Sequence, residues 1–400
     1  MANTILTPDE ITKNAVAVLH EELQLVNKVD RQYDASFAKA NAKIGDTLRI
    51  RKPAQFTVAD GPALSTQDFT EQQVTLAVAT QKHVDTEFGT DELTLDLDSF
   101  ESRVSKPAMS RLAAEIETVT ADNLYSQIGN YVFNSGGLTW KNAVQAGAIM
   151  TQNLAPTDMR YMMVDPLTQV EILDNTKGLF QSAEQIKKQY EKGIIGRTGG
   201  FDWYETTYNP SIVIGADVAG TVNDTYAEGE TTITLAGFGA NQVIAKGSVI
   251  TIAGVFMIQP ETKKVYGNLK GIPVLASATA DGAGAVTVTI PALYSSASGA
   301  IQNVSALPAN GAVVTLVGSA DSTLRSSVAF HKNFATFVGA DIWVPNGVHM
   351  ASKSTYEGVT LRMVSQYDIN TDKAPVRFDA IFGSQVIRPE LACKLFEPNV

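Results

Sequence analysis

Residues 105–128, SKPAMSRLAAEIETVTADNLYSQI, read as a single long helix. Pro107 falls in the first turn, where a missing N–H costs nothing. Met109, Leu112, Ile116, Val119 and Leu124 then recur at spacings of three and four residues, and Gly129 supplies a stop. At about 1.5 Å per residue this predicts a rod some 35 Å long. The elements on either side of it set the fold class.

Towards the N-terminus the pattern is extended. Thr47–Arg51 and Val74–Lys82 alternate, the second as Val74, Leu76 and Val78 against Thr75, Ala77 and Ala79. Pro53, Gly61 and Pro62 interrupt the segment between them, so the prediction is a long antiparallel hairpin with a polar, irregular tip. Two strands alone have too little core, so such a hairpin must lie on something else, another subunit included. Before it, Thr7, Pro8 and Glu10 form a helix start with Leu6 placed to staple to Ile11. Ile11, Ala15, Val18, Leu19 and Val26 make an apolar stripe, with Asp9, Glu10, Glu21 and Glu22 elsewhere on the surface.

Towards the C-terminus, residues 142–205 mix helices near 142–152, 166–174 and 181–192 with a strand at Arg160–Val164. At about Pro210 the composition changes: residues 211–330 hold 14 of the 30 glycines but only 12 charged residues. Short alternating runs at 231–235, 248–258, 285–290 and 312–317, punctuated by Gly, Asn, Asp and Pro, predict a small β-barrel or sandwich. Strand-like runs at 328–338, 359–364 and 376–387 follow. The class is α+β, with a pure β block inserted into a loop of a mixed domain. Such an insertion requires its two ends, near Pro210 and Phe330, to lie close together.

In a chain of 400 residues, 44% hydrophobic content and 18% charge support sizeable cores and exclude a disordered chain. The net charge of −11 argues against nucleic-acid or anionic-membrane binding through the protein's own charge. Met1–Leu6 lacks a secretory pattern, and no apolar run approaches the ~20 residues of a membrane helix, so a soluble chain made in the cytoplasm is expected. One cysteine, Cys393, excludes a disulfide framework, and His20, His83, His331 and His349 share no metal-ligand spacing.

The search for chemistry is negative: no nucleophile elbow, zinc helix, Walker loop or dinucleotide fingerprint is present. Gly193, Gly196, Gly199 and Gly200 form a glycine cluster with no helix after it, which reads as a structural loop. His331, between Phe330 and Phe334, reads as a packed side chain. The pairs Asp96/Asp98 and Asp368/Asp372 are of a kind expected by chance among 42 acids, and Cys393 as a small buried hydrophobe.

Three stretches carry a family likeness: Gly193–Tyr204 as a glycine-punctuated turn and strand, Lys246–Phe256 as the turn and strand of the inserted block, and Arg362, Tyr367–Asp368, Arg377–Asp379 and Gly383–Pro389 as closing strands. With the order of parts, they resemble the major capsid (coat) proteins of tailed double-stranded DNA bacteriophages, with the Hong Kong 97-type fold and the inserted domain of the Salmonella podophage type. The resemblance implies an N-terminal arm (1–44), an E-loop hairpin (45–88), a P-domain with the spine helix (89–135), an A-domain begun at 136–210, an inserted β-barrel (211–330) and closing A- and P-domain strands (331–400). It implies pentamers and hexamers on an icosahedral lattice, a separate scaffolding protein, a portal, and a motor that packages double-stranded DNA without sequence-specific contact. No catalytic, cofactor or metal site is expected, nor a cleaved N-terminal scaffolding domain.

The candidate assembly contacts are the hairpin tip at Ala59, Asp60, Gly61 and Pro62, the arm acids Glu21 and Glu22 facing a basic segment of the scaffold, and an acidic loop carrying Asp224, Glu228 and Glu230. The loop would meet Lys263, Lys264 and Lys270 of another copy across a two-fold axis. Two other classes fit the composition: a surface-layer or adhesive protein, which should carry a signal peptide and often calcium loops, and a carbohydrate-active enzyme, which should gather acids and aromatics in one cleft.

Overall fold

The computed structural model describes residues 8–31, 47–53, 55, 56, 58, 60–62, 64, 66, 72–89, 105–175, 196–370 and 373–399. The segment expected to be helical at 181–192 lies outside them, as do Ala59, Asp96, Asp98 and Asp372. The chain divides into two compact units, Met1–Ile50 with Val74–Ala121 and Ala335–Ile387, and Arg51–Gln73 with Asp122–Phe334 and Arg388–Val400.

The first unit is built on an antiparallel sheet centred on the long strand Lys373–Val386. Thr80–Gly89 pairs with its first part on one edge; Val359–Ser365 and then Ala335–Gly339 pair with it, and Met350–Tyr356 extends the sheet beyond Val359–Ser365. The arm helix, Pro8–Glu22, packs on Met350–Tyr356 and Val359–Ser365. Ile11, Ala15, Val16 and Leu19 are buried, and Ser352 Oγ donates to Asp9 Oδ1 at 2.6 Å. The long helix runs Lys106–Tyr125, three residues short of the expected end, and buries Met109, Leu112, Ala113, Ile116, Ala121 and Leu124.

The hairpin is shorter than its sequence pattern suggests. Thr47–Arg51 pairs with Gln73–Ala77, the ladder stops at Val78–Ala79, and the alternation resumes as Thr80–Gly89 in the five-stranded sheet. Packing breaks the strand: Ala77 O and Val78 Cα come so close to Gly383 that a Cβ there would sit 2.3 Å from the carbonyl. Ile50, Leu76 and Val78 are buried with Val338, Ala340, Ile342, Ile381 and Ile387. The root of the hairpin is therefore covered by its own chain.

The second unit contains a seven-stranded mixed sheet in the order Tyr131–Phe133, Ala392–Pro398, Thr323–His331, Arg160–Val164, Phe201–Glu205 and Arg197–Thr198, with Ile212–Val213 also paired to Thr323–His331. The helix Trp140–Gln152 packs on it. The helix Pro166–Asn175 begins at Asp165, whose carboxylate accepts from Leu167 N at 3.0 Å. The run expected as one strand over 328–338 is two, Thr323–His331 and Ala335–Gly339, separated by a single 3-10 turn and belonging to different sheets.

The β block forms a six-stranded antiparallel sheet in the order Val265–Pro273, Val249–Ile258, Val313–Leu316, Ala219–Val222, Thr232–Ala236 and Val286–Thr289. A two-stranded ribbon, Val243–Ile244 with Ala278–Thr279, accompanies it. The pairing leaves Val265–Pro273 and Val286–Thr289 as two edges rather than closing the sheet into a ring. The ends of the block are side by side: Thr323 opposes Val213, and Ser326 Oγ donates to Pro210 O. Its core, which includes Ile233, Leu235, Ile250, Ile252, Val288 and Val314, also takes in Phe396 from the last strand. At Gly271 a side chain has no room, since a Cβ would sit 2.1 Å from Gly129 O.

Candidate assembly surfaces

Past its root the hairpin changes character. Phe56, Val58 and Leu64 are 62%, 96% and 92% exposed, and Asp60, Gly61 and Pro62 are exposed beside them. Its stem at Lys52, Pro53 and Gln72 lines a cleft of about 190 Å³ with Asn153, Glu261 and Arg388. Apolar side chains held in water beyond a strand pair are what a partner surface would cover.

On the arm, Glu21 and Glu22 are exposed at the end of the helix, while Leu23, Leu25 and Val26 just after it are buried. That turn is held by a residue the sequence reading passed over. Glu117 of the long helix is almost fully buried, and its two carboxylate oxygens accept from Leu25 N and Val26 N at 3.1 Å each. Burial raises its pKa to about 7 against the opposing pull of those amides. The signal was present: Glu117 lies four residues from Ala113 and from Ala121, on the buried stripe.

The acidic loop is occupied with its own structure. Asp224 Oδ1 accepts from Thr225 N at 2.7 Å, Glu230 Oε2 from Ala227 N at 3.1 Å, and Glu228 Oε1 from Ser295 N and from Ser295 Oγ. Reversing all three charges would remove these bonds and disturb the loop itself.

The lysines do not form one loop group. Lys263 lies half-buried in the turn after Val249–Ile258, its Nζ 3.1 Å from Gln302 O and its pKa lowered by burial. Lys264 is exposed beside it. Lys270 belongs to the strand Val265–Pro273, half-buried, with desolvation holding it below the ordinary lysine range. A strand position whose ammonium is withdrawn from water is a poor partner for another copy's carboxylates, and Lys264 is the lysine of the three that stays exposed.

The described residues among those considered for chemistry are structural. His331 is buried, its Nδ1 accepts from Asn333 N at 3.2 Å, and burial lowers its pKa. Cys393 is buried, with its thiol pKa raised by desolvation. Gly199 and Gly200 turn the chain between the paired strands Arg197–Thr198 and Phe201–Glu205. Asp368 Oδ1 accepts from Asn370 N in a turn. Among the described residues no group of three His, Cys, Asp or Glu could hold a metal ion, and no helix is long and apolar enough to cross a membrane.

The sequence matches the family described as P22 coat protein, gene protein 5, over residues 7–396. The chain belongs to this family. A relative, the major capsid protein of Acyrthosiphon pisum secondary endosymbiont phage 1, is 20% identical over 415 residues, covering 94% of each chain. Among solved structures, one from Mycobacterium phage Che8 is matched at 12% identity over 93% of this chain and 90% of that one, with a TM-score of 0.49. The capsid of Helicobacter pylori bacteriophage KHP30 is matched at 9% identity over 93% and 88%, with a TM-score of 0.46. The coat protein is thus a non-enzymatic structural protein of a phage capsid, one that assembles into the virion shell. The surface-layer and carbohydrate-active readings fall away.

Proposed function

We propose that this coat protein, made in the host cytoplasm, assembles as pentamers and hexamers of an icosahedral shell through the tip of its hairpin. The observation that carries the reading is the contrast along that hairpin. Ile50, Leu76 and Val78 are buried at the root, and Val58 and Leu64 are 96% and 92% exposed towards the tip. A rooted arm with an uncovered apolar end is built to lie on a neighbouring copy. A scaffolding protein engages the acidic arm face at Glu21 and Glu22, and double-stranded DNA enters through a portal. A net charge of −11 suits a container filled by a motor rather than by Coulomb attraction. Asp224 and Lys264 remain the charged pair best placed for a contact between copies, worth at most about 1 kcal/mol per exposed pair and multiplied over a lattice.

Deleting residues 59–65 is expected to leave a soluble, folded subunit that no longer forms shells in electron micrographs of material co-expressed with scaffolding protein. Charge reversal at Glu21 and Glu22 should weaken scaffold binding in a salt-dependent way, and Asp224→Lys should slow shell closure without unfolding the block. Normal shells from the deletion would remove the hairpin tip from the assembly mechanism.

A further inference from the structure

Trp343 lies in the loop between Ala335–Gly339 and Met350–Tyr356 and is 70% exposed. The backbone that leads up to it is fixed. Ala340 N donates to Ile381 O at 3.0 Å, and Ile342 is buried in the cluster that roots the hairpin at Ile50 and Leu76. Lys353 Nζ donates to both carboxylate oxygens of Asp341 at 2.8 Å. Trp343 O itself accepts from Arg362 Nη1 at 2.7 Å, and Arg362 is clamped by the buried Asp379 through Nη2 at 2.6 Å and Nε at 3.2 Å. A large aromatic side chain is thus presented to water on a loop with little left to order, which is the arrangement that makes an aromatic residue an energetic centre of an interface.

We infer that Trp343 is an anchor of subunit association, inserting into an apolar recess on a second copy of this chain in the shell. The surrounding charges identify the class of partner. Arg362 and Lys353, the cations bonded to this loop, are matched by Asp379 and Asp341, so the loop carries no surplus positive charge for a phosphate polymer or an anionic membrane. A balanced polar rim around a bare aromatic centre fits a protein surface, and the repeated partner of a shell subunit is another copy of itself. The cluster that buries Ile342 also buries Ile50, Leu76 and Val78, so the loop that carries Trp343 is anchored in the core of the first unit. This inference rests on the assembly of the chain into a shell and adds a contact outside the hairpin tip.

The test uses the full chain under conditions in which the wild type forms shells. Trp140 stacks on the buried Trp203 with ring centroids 6.0 Å apart, which leaves Trp343 as the most quenchable of the three tryptophans. Acrylamide quenching of the wild type is expected to lose its exposed component on assembly, while W343F lacks that component in both states. W343A should keep the thermal midpoint of the free subunit and raise the protein concentration needed for shells at least tenfold, with W343F intermediate. Wild-type shells in which Trp343 stays as quenchable as in the free subunit, or W343A shells forming at the wild-type concentration, would overturn the inference. A wild-type chain that never forms shells would instead overturn the assembly reading beneath it.

Discussion

Asp379→Ala is expected to lower the unfolding free energy of the coat protein by about 3–5 kcal/mol, the range for stripping one partner from a buried ion pair. Asp379 is fully buried in the strand Lys373–Val386. Its Oδ2 accepts from Arg362 and its Oδ1 from Arg377 Nε at 2.6 Å and Gln81 Nε2 at 3.1 Å. Burial alone would push the carboxyl pKa up, but the hydrogen bonds from Arg362 and Arg377 outweigh it and hold it below the ordinary aspartate range. Arg377 is half-exposed and can turn to Asp85 or to water. Arg362 is mostly buried and would be left with a charge and no carboxylate.

Two controls separate charge from packing. Asp379→Asn keeps the shape and still strands Arg362, so it should cost nearly as much. The double variant Asp379→Leu with Arg362→Met should recover most of the loss, because apolar residues of similar volume often replace a buried pair at little cost. The sign with pH follows from the depressed carboxyl. Its contribution is fully present above the unfolded-state pKa and is lost as pH falls through the lower folded value, so the gap between wild type and Asp379→Ala should close only in strong acid. Urea titrations of the free subunit, followed by circular dichroism, measure all four proteins. A gap under about 1 kcal/mol at pH 7 would mean that the network is not a structural centre of the sheet.

The sequence showed the elements more readily than their partners. The long helix was legible because its stripe repeats over five turns, and the β block because glycine rises as charge falls. Alternation, however, reports that a residue faces inward and says nothing about which strand lies beside it. Val74–Lys82 therefore read as one hairpin strand, although packing of Ala77 and Val78 against Gly383 hands its second half to another sheet. The run over 328–338 was joined for the same reason.

Buried acids were harder still. Glu115 and Glu117 are two residues apart, roughly 200° around the helix. Glu115 faces out to Lys82 at 2.7 Å, and Glu117 faces in to the backbone of Leu25 and Val26. Composition treats the two alike, and only the stripe tells them apart. The assembly surfaces divide in the same way. Proline and glycine marked the hairpin tip, but no pattern in the sequence could show that Lys270 lies in a strand with its charge withdrawn from water, or that Trp343 lies bare on a rigid loop.

Lys394→Met is expected to stabilise the coat protein at pH 7 by about 3 kcal/mol and to do so less and less as pH rises. Lys394 lies in the last strand, fully buried, with Nζ 2.8 Å from Gly247 O and 5.7 Å from the centroid of the Phe396 ring. One carbonyl and one ring face do not replace the water an ammonium loses, and desolvation lowers the pKa from 10.5 to about 7. In the unfolded chain the lysine stays charged to about pH 10.4, so between the two values the unfolded state binds the extra proton and wild-type stability rises with pH. At pH 7 the folded chain carries a penalty of roughly 4 kcal/mol by that shift, and methionine removes it at a cost of about 1 kcal/mol for the hydrogen bond to Gly247 O. Near pH 10 the penalty has almost vanished and the lost hydrogen bond remains, so the order of the two proteins should reverse. Other titrating groups are common to both chains and cancel in the difference, which makes the crossover a property of Lys394 itself. Paired denaturant titrations between pH 6 and pH 10.5 would show it, and a difference that stays constant across that range would mean that Lys394 holds its proton in the folded chain as readily as in water.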